Sequence, residues 1–399
     1  MIVNLLKRIL VAIPVLLILS IAILFAIYPA PYVKKTLTHL DSAVSDMYLF
    51  PNRSITHSEQ PYQFKTNYQD DTIESLFEQQ SNVQDLVEYL EKTHTSSFIV
   101  IEGDEIIYEK YLNGNERESL VTSFSVAKSF ASTLVGIAMD EELIDSVYDP
   151  ITKYIPELAE RDPRFSEITI EHLLLMSSGI SYHEIDFLNG DNTKTYWWPD
   201  LRHLAVNMTK IEGEPMQRFH YNNYHPLLIG VILERITGMS VSEYMQEKLW
   251  IKIGTEFDAS WSLDEKGSEK MESGINARTI DFAKFGKLFM NEGLWGETQV
   301  VSQEWILQAT SPPEISDYEG YYSEYNDYIF DDKKGFYKYF WWGIQREKGY
   351  DYFAYGNHGQ FIYLSPQKGL IIVRFGEFYG LADESYPWIK MFYEFVETF

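Results

Sequence analysis

Ser125 and Lys128 stand three residues apart in the stretch Ser123-Phe124-Ser125-Val126-Ala127-Lys128-Ser129-Phe130. On a helix that spacing puts both side chains on one face. A serine hydroxyl is a weak nucleophile until a base takes its proton, and an unprotonated lysine one turn away is such a base. The run behind the pair (Phe130, Ala131, Leu134, Val135, Ile137, Ala138, Met139) is apolar nearly all round, so the helix is expected to be buried. Burial disfavours the ammonium form and brings a lysine toward neutrality. The helix N-terminus also favours a developing alkoxide. The spacing recurs at Ser365 and Lys368, in a Pro-Gln-Lys-Gly turn between two expected strands. What distinguishes Ser125 is its company.

Tyr221-Asn222-Asn223 sits in a polar loop just before an apolar helix. A tyrosine beside an amine can relay a proton to a leaving group. An asparagine amide offers both a donor and an acceptor, to a lysine or to a substrate carbonyl. Tyr111-Leu112-Asn113 has the same spacing and reads as a hairpin end. The third stretch is Gly356-Asn357-His358-Gly359-Gln360-Phe361, between two strands. A glycine beside a strand permits close approach of a substrate. A backbone N–H there, taken as an edge strand, together with that of Ser125, would make an oxyanion hole. Trp341 or Trp342 is expected to wall the acyl-binding cleft.

The elements that must hold these groups follow from the hydrophobic pattern. Residues 97–101 and 105–109 read as a hairpin about Gly103-Asp104. Residues 119–122 lead directly into the Ser125 helix. From 141 to about 335 helical pieces and loops dominate, with apolar helices at 168–176, 224–237 and 280–291. Residues 312–335 are acidic and tyrosine-rich without a period, and read as a loop or lid. Strand patterns return at 340–345, 352–355, 361–364 and 370–375, before a helix at 386–395. Strands at both ends with helices between imply an α/β (α+β) layer closed by the two chain termini, with a mostly helical subdomain inserted at about 141–335. Residues 9–28 are an unbroken apolar stretch of membrane-spanning length, preceded by Lys7 and Arg8. Residues 1–31 therefore read as a membrane anchor or signal, which places the rest outside the cytoplasm. Residues 32–80 read as a linker or wrapping segment, and 81–399 as the catalytic domain.

Composition removes several classes of function. The net charge of −26 excludes a dominant basic surface for nucleic acid. With no cysteine there is no disulfide, thiolate metal site or cysteine nucleophile. His220 and His225 share a loop but form no His-x-x-x-His or His-Glu-x-x-His pattern. No Gly-x-Ser-x-Gly elbow and no phosphate-binding Gly-x-x-x-x-Gly-Lys loop is present. No metal and no cofactor are expected, and the oligomeric state is left open.

In combination the three stretches resemble the serine β-lactamase and penicillin-binding-protein superfamily. Further similar text lies in Thr122-Ser123-Phe124, Ile168-Thr169-Ile170-Glu171-His172-Leu173-Leu174 with Ser177-Ser178-Gly179, Phe219-His220-Tyr221, Gly230-Val231-Ile232-Leu233-Glu234 and Gly274-Ile275-Asn276-Ala277-Arg278. The likeness covers about residues 80–399 and is to the class C β-lactamase-related branch. It implies a β-lactamase-like fold, an antiparallel sheet flanked by helices. It also implies a serine hydrolase of an ester or amide substrate, working through an acyl-enzyme. The resemblance gives Ser125 as nucleophile, Lys128 as base, Tyr221 as proton shuttle and Asn223 as substrate amide. Asn357, His358, Gly359 and Gln360 become the substrate or oxyanion strand. That branch also holds D-Ala-D-Ala carboxypeptidases, β-lactamases, esterases and 6-aminohexanoate-dimer hydrolases. Where cell-wall members have Lys-Thr-Gly, this chain is read as Asn357-His358-Gly359, which favours an esterase or 6-aminohexanoate-dimer hydrolase. The alternatives are a carboxypeptidase or β-lactamase, and a catalytically weak peptidoglycan- or β-lactam-binding protein.

Overall fold

The computed structural model describes residues 2–80, 83–185, 187–323, 330, 333–380 and 387–399. Among the described residues fourteen strands appear in chain order. They are β1 (Asn52–Ile55), β2 (Lys65–Thr66), β3 (Thr95–Glu102), β4 (Glu105–Tyr111), β5 (Val121–Thr122), β6 (Ala259–Ser262), β7 (Ile275–Ala277), β8 (Leu294–Trp295), β9 (Thr298–Gln299), β10 (Gly335–Lys338), β11 (Trp341–Gln345), β12 (Tyr350–Gly356), β13 (Gln360–Ser365) and β14 (Leu370–Gly376). The large sheet has eight strands, in the order β10-β11-β12-β13-β14-β3-β4-β2. Every pair in it is antiparallel except β2 with β4. A four-stranded sheet, β1-β6-β7-β5, stands beside it. The C-terminal hairpins thus pair with the 95–111 hairpin, and the two ends of the domain close one sheet.

Helices cover both faces of the large sheet. The first five are α1 (Ile2–Ile27), α2 (Ala30–His39), α3 (Asp70–Gln80), α4 (Leu86–Lys92) and α5 (Val126–Asp140). On one face α3 packs on the Pro387–Thr398 helix, with Phe77 stacked on Phe395 at 4.0 Å and set edge-on to Phe98. On the other face the Thr279–Met290 helix meets β13 and β14, where Phe282 touches Phe375. That helix lies within the stretch read as the helical insert, yet it packs on the sheet. Its residue Phe285 stacks on Phe130 of α5 at 3.7 Å. Every residue of α5 from Val126 to Ala138 is buried. A helix with no solvent face must be apolar all round, which is the pattern read from the sequence.

The expected membrane span is not found. Residues 2–27 do form a helix. Among the described residues, however, no helix is long and apolar enough to cross a membrane. Residues 32–80 are folded onto the domain. Tyr32, Val33, Ile55, Ile73 and Phe77 are buried. β1 completes the small sheet and β2 the large one.

Candidate active site

The turn that carries Ser125 is built by β5 and the start of α5. Thr122 pairs with Asn276 across β5 and β7. Ser123 then pins the turn to β7: its N–H donates to the Ile275 carbonyl at 2.8 Å, and its hydroxyl accepts from the Ile275 N–H at 3.0 Å. Phe124 takes a left-handed φ of 42°. For a residue with a Cβ this conformation is strained, and it persists only where the surroundings enforce it. Ser125 follows as the N-cap of α5, but its side chain makes no capping hydrogen bond. Its hydroxyl is left for chemistry.

Lys128 is 1% exposed, and its Nζ lies 2.7 Å from Ser125 Oγ. The same Nζ donates to the Glu272 carbonyl at 2.9 Å. Burial brings the amine down to about 7. The carboxylates of Glu272 and Glu184 pull the other way, while Lys270 adds to the lowering. The two side chains expected on one helical face thus lie in contact, with the lysine buried. The decoy Ser365 sits at the end of β13, buried within the sheet.

Tyr221 completes the cluster. Its ring lies 4.9 Å from Lys128 Nζ, and its hydroxyl is in hydrogen-bonding range of Ser125. Burial pushes the phenol above its usual range, against the lowering effect of that bond. The backbone here is fixed by Asn222, which is fully buried. Its amide donates to the Ile180 carbonyl, and its Oδ1 accepts from the Tyr224 N–H. With the middle residue tied inward, Tyr221 and Asn223 are turned toward the site. Asn223 donates to the Tyr182 hydroxyl at 2.8 Å. Its Oδ1 is buried and has no hydrogen-bond partner among the described residues. Such an acceptor is costly unless something with an N–H or O–H arrives to use it.

The third stretch differs from the sequence reading. The glycine against Ser125 is Gly356, at the end of β12, and not Gly359. A Cβ on Gly356 would lie 2.5 Å from the Ser123 carbonyl oxygen and 3.1 Å from the Ser125 nitrogen. The strand residues beside Ser125 are therefore Ala354-Tyr355-Gly356. β12 is also an inner strand, flanked by β11 and β13, rather than an edge. Asn357, His358 and Gly359 form a turn between β12 and β13. Asn357 stays next to the site, because it follows Gly356. His358 does not offer its ring to a substrate: Nδ1 faces the Glu377 carbonyl and Nε2 the Ser42 carbonyl, each at 2.9 Å. Gly359 is buried with φ 77°, and its carbonyl accepts from Arg374. Gln360 is 1% exposed and bridges the strand ends. Its amide nitrogen donates to the carbonyls of Asn357 and Gly376, and its Oε1 accepts from the Gly376 N–H. Both polar atoms of the Gln360 side chain, and the Gly359 carbonyl, are thus engaged within the fold.

Several participants escaped the sequence reading. Glu272 reaches Lys128 through a backbone carbonyl, which leaves no side-chain signature. Lys270 is buried beside it and pairs with the Glu272 carboxylate at 2.7 Å. Tyr182 orients Asn223 from a loop whose sequence carries no motif. Of the two candidate tryptophans, Trp341 goes to the core against Phe289 at 4.3 Å. Trp342, on the opposite face of β11, stacks on Tyr221 at 5.5 Å. The segment 312–335 lies partly outside the described residues. Its described part brings Tyr322 and Phe330 against Phe219 beside Trp342. No group of three or more His, Asp or Glu side chains suited to a metal ion occurs among the described residues.

A serine hydroxyl, a depressed amine, a phenol and an unfilled amide acceptor converge here on a β-lactamase-like scaffold. The sequence profile described as Beta-lactamase matches residues 83–376. The chain belongs to this family. Within it, the chain is 28% identical over 313 residues to the 6-aminohexanoate-dimer hydrolase of Paenarthrobacter ureafaciens, covering 74% of this chain and 75% of that one. It is 27% identical over 187 residues to Penicillin-binding protein 4* of Bacillus subtilis, covering 43% of this chain and 40% of that one. A Bacillus anthracis structure described as a 6-aminohexanoate-dimer hydrolase superposes with a TM-score of 0.75 at 22% identity, covering 92% of this chain and 94% of that chain. A class C β-lactamase in complex with cefoxitin gives 0.58 at 13% identity, over 82% and 99%. Both share the fold, a mixed α/β architecture. The chain is a serine hydrolase of the β-lactamase family.

Proposed function

We propose that the protein hydrolyses esters or amides through an acyl-enzyme on Ser125, and that its substrates need no carboxylate beside the scissile bond. Neutral Lys128 takes the Ser125 proton as the hydroxyl attacks the carbonyl. The N–H groups of Ser125 and Asn357 hold the carbonyl oxygen as it gains charge. Tyr221 passes the proton to the leaving alcohol or amine, and then assists the water that frees the acid. Asn223 Oδ1 accepts an N–H from an amide substrate.

The observation that carries the substrate class is the strand beside the nucleophile. Cell-wall enzymes of the superfamily use a lysine on this strand to hold the substrate carboxylate. Here the strand reads Ala354-Tyr355-Gly356, with no cation in it. In place of a charge there is an aromatic wall of Trp342, Tyr355 and Tyr379. The 6-aminohexanoate-dimer hydrolase relative supports the amide side of this reading.

The test is a matched panel. Nitrophenyl esters and nitroanilides, with and without a carboxylate next to the reacting carbonyl, would be compared with a chromogenic cephalosporin. The expected result is faster turnover of the carboxylate-free members, by about tenfold or more in kcat/KM, roughly one good charge contact. A preference for the carboxylate, or rapid cephalosporin turnover, would instead favour a carboxypeptidase or β-lactamase.

The same proposal includes a membrane-attached, extracytoplasmic domain. It is supported by residues 9–28, which carry no charge, by Lys7 and Arg8 ahead of them, and by exposed Ile13, Leu16, Ile23 and Ile27 on α1. Alkaline carbonate extraction of membranes from expressing cells checks it. The protein is expected in the pellet, and its release into the supernatant would contradict the anchor.

A further inference from the structure

The segment after α2 is no part of the catalytic cluster, yet it reaches the turn that follows Gly356. The Asn357 side chain donates to Ser42 Oγ at 2.9 Å, and the Ser42 carbonyl faces His358 Nε2 at 2.9 Å. Asn357 Oδ1 also accepts the His358 N–H at 3.1 Å. The other His358 nitrogen faces the Glu377 carbonyl at 2.9 Å, and its ring lies 5.1 Å from Phe124, the strained residue before Ser125. One serine of the N-terminal segment thus ties two consecutive residues of the turn.

The segment is itself firmly fastened. Tyr32 is fully buried, donates to the Leu188 carbonyl at 2.7 Å and packs on Trp198 at 4.9 Å. Asp46 accepts from the Ala43 N–H and from the Tyr196 hydroxyl. Phe50 stacks on Trp197 at 5.3 Å. Residues 30–50 therefore form a strap anchored on both sides of Ser42.

The geometry points to a positioning role for this strap. Ser42, through the Asn357 side chain and His358, fixes the direction of the Asn357 N–H, so that this N–H and that of Ser125 converge on one oxygen. The inference rests on the acyl-enzyme reading above. His358 has φ 62°, a left-handed conformation that asparagine tolerates and most residues resist. His358→Asn keeps that backbone while falling short of the Ser42 carbonyl. Ser42→Ala removes the hydroxyl that holds Asn357.

The test uses the full chain, with active sites counted by fluorophosphonate adduct. His358→Asn is expected to lower kcat per labelled site about tenfold, with KM within about twofold, since a misdirected donor weakens the transition state more than the ground state. Fluorophosphonate labelling should slow by a similar factor, because its phosphoryl oxygen uses the same donors. Ser42→Ala should act in the same direction, and the double variant should lose less than the product of the two single effects. A strap that only stabilises the fold would lower Tm or the labelled fraction and leave kcat per labelled site unchanged, and that result in both variants overturns the inference. Wild-type protein that takes no adduct at Ser125 would instead overturn the acyl-enzyme reading, and the inference with it.

Discussion

At the residue scale the proposed chemistry turns on Lys128, whose charge state would set whether Ser125 can be activated. With the amine near 7, its neutral form dominates above that value. Activity is therefore expected to rise through about pH 7 and to level off above it, measured as kcat/KM on an ester whose leaving group does not titrate there. An activity already at its plateau by pH 5 would exclude Lys128 as the base. Replacing it by alanine should lower acylation by about 10² to 10⁴, the usual worth of a positioned base. The same burial has a cost in stability. The native state holds Lys128 neutral above about 7, whereas an ordinary lysine keeps its proton to about 10.5. Between those values the unfolded state binds more protons, so this group's penalty shrinks as pH rises. A Lys128→Met variant should therefore melt above wild type near pH 7, with a gap that narrows toward pH 10. The Ser125–Lys128 pair was legible in the sequence because both partners act through side chains on one helical turn. Glu272 was not, because its contact with Lys128 uses a carbonyl that any residue carries.

The site at the scale of elements is a seam between α5, the Tyr224–Thr237 helix and β12. Gly356 is the point of closest approach. Any side chain there must displace the Ser123 carbonyl or the Ser125 nitrogen, because the first contact falls at 2.5 Å. Gly356→Ala should cost at least about 10²-fold in kcat while far-ultraviolet circular dichroism stays native, since misplacement by about 1 Å is enough for such a loss. The third stretch was legible as a glycine-bearing turn but was placed three residues too far along. Gly359 looked like the site glycine because it follows a histidine. Its left-handed φ and its packing under Arg374 show that the turn itself requires it. Arg374 is fully buried and donates to the carbonyls of His358, Gly359 and Thr93. Burial lowers its guanidinium to about 9. Arg374→Met should loosen the turn and strand several acceptors, at a cost of about 3 kcal/mol or more in urea unfolding. Sheet and helix identities were readable because strand and helix periods differ sharply in residues 95–140 and 340–376. The segment 30–80 was not, because its elements are short and gain their order from the domain they cover.

The whole molecule joins a β-lactamase-family hydrolase domain to an N-terminal strap and an apolar leading helix. The charge of −26 is spread over a chain whose candidate cluster pairs a buried Lys128 with half-buried, uncharged Ser125 and Tyr221, so added salt should change kcat/KM for neutral esters by less than about twofold. A larger salt effect would mean that surface charge, and not the cluster itself, governs access. Fold and family follow from the arrangement of the whole chain, while the substrate class depends on the few residues of one strand. The account stands first on Ser125 forming a covalent intermediate. The direct measurement is intact mass of wild type and Ser125→Ala after exposure to a fluorophosphonate. One adduct on wild type, mapped by peptide digestion to Ser125 and missing from Ser125→Ala, is the result expected. An adduct at another residue, or equal labelling of both proteins, would contradict the assignment of the nucleophile.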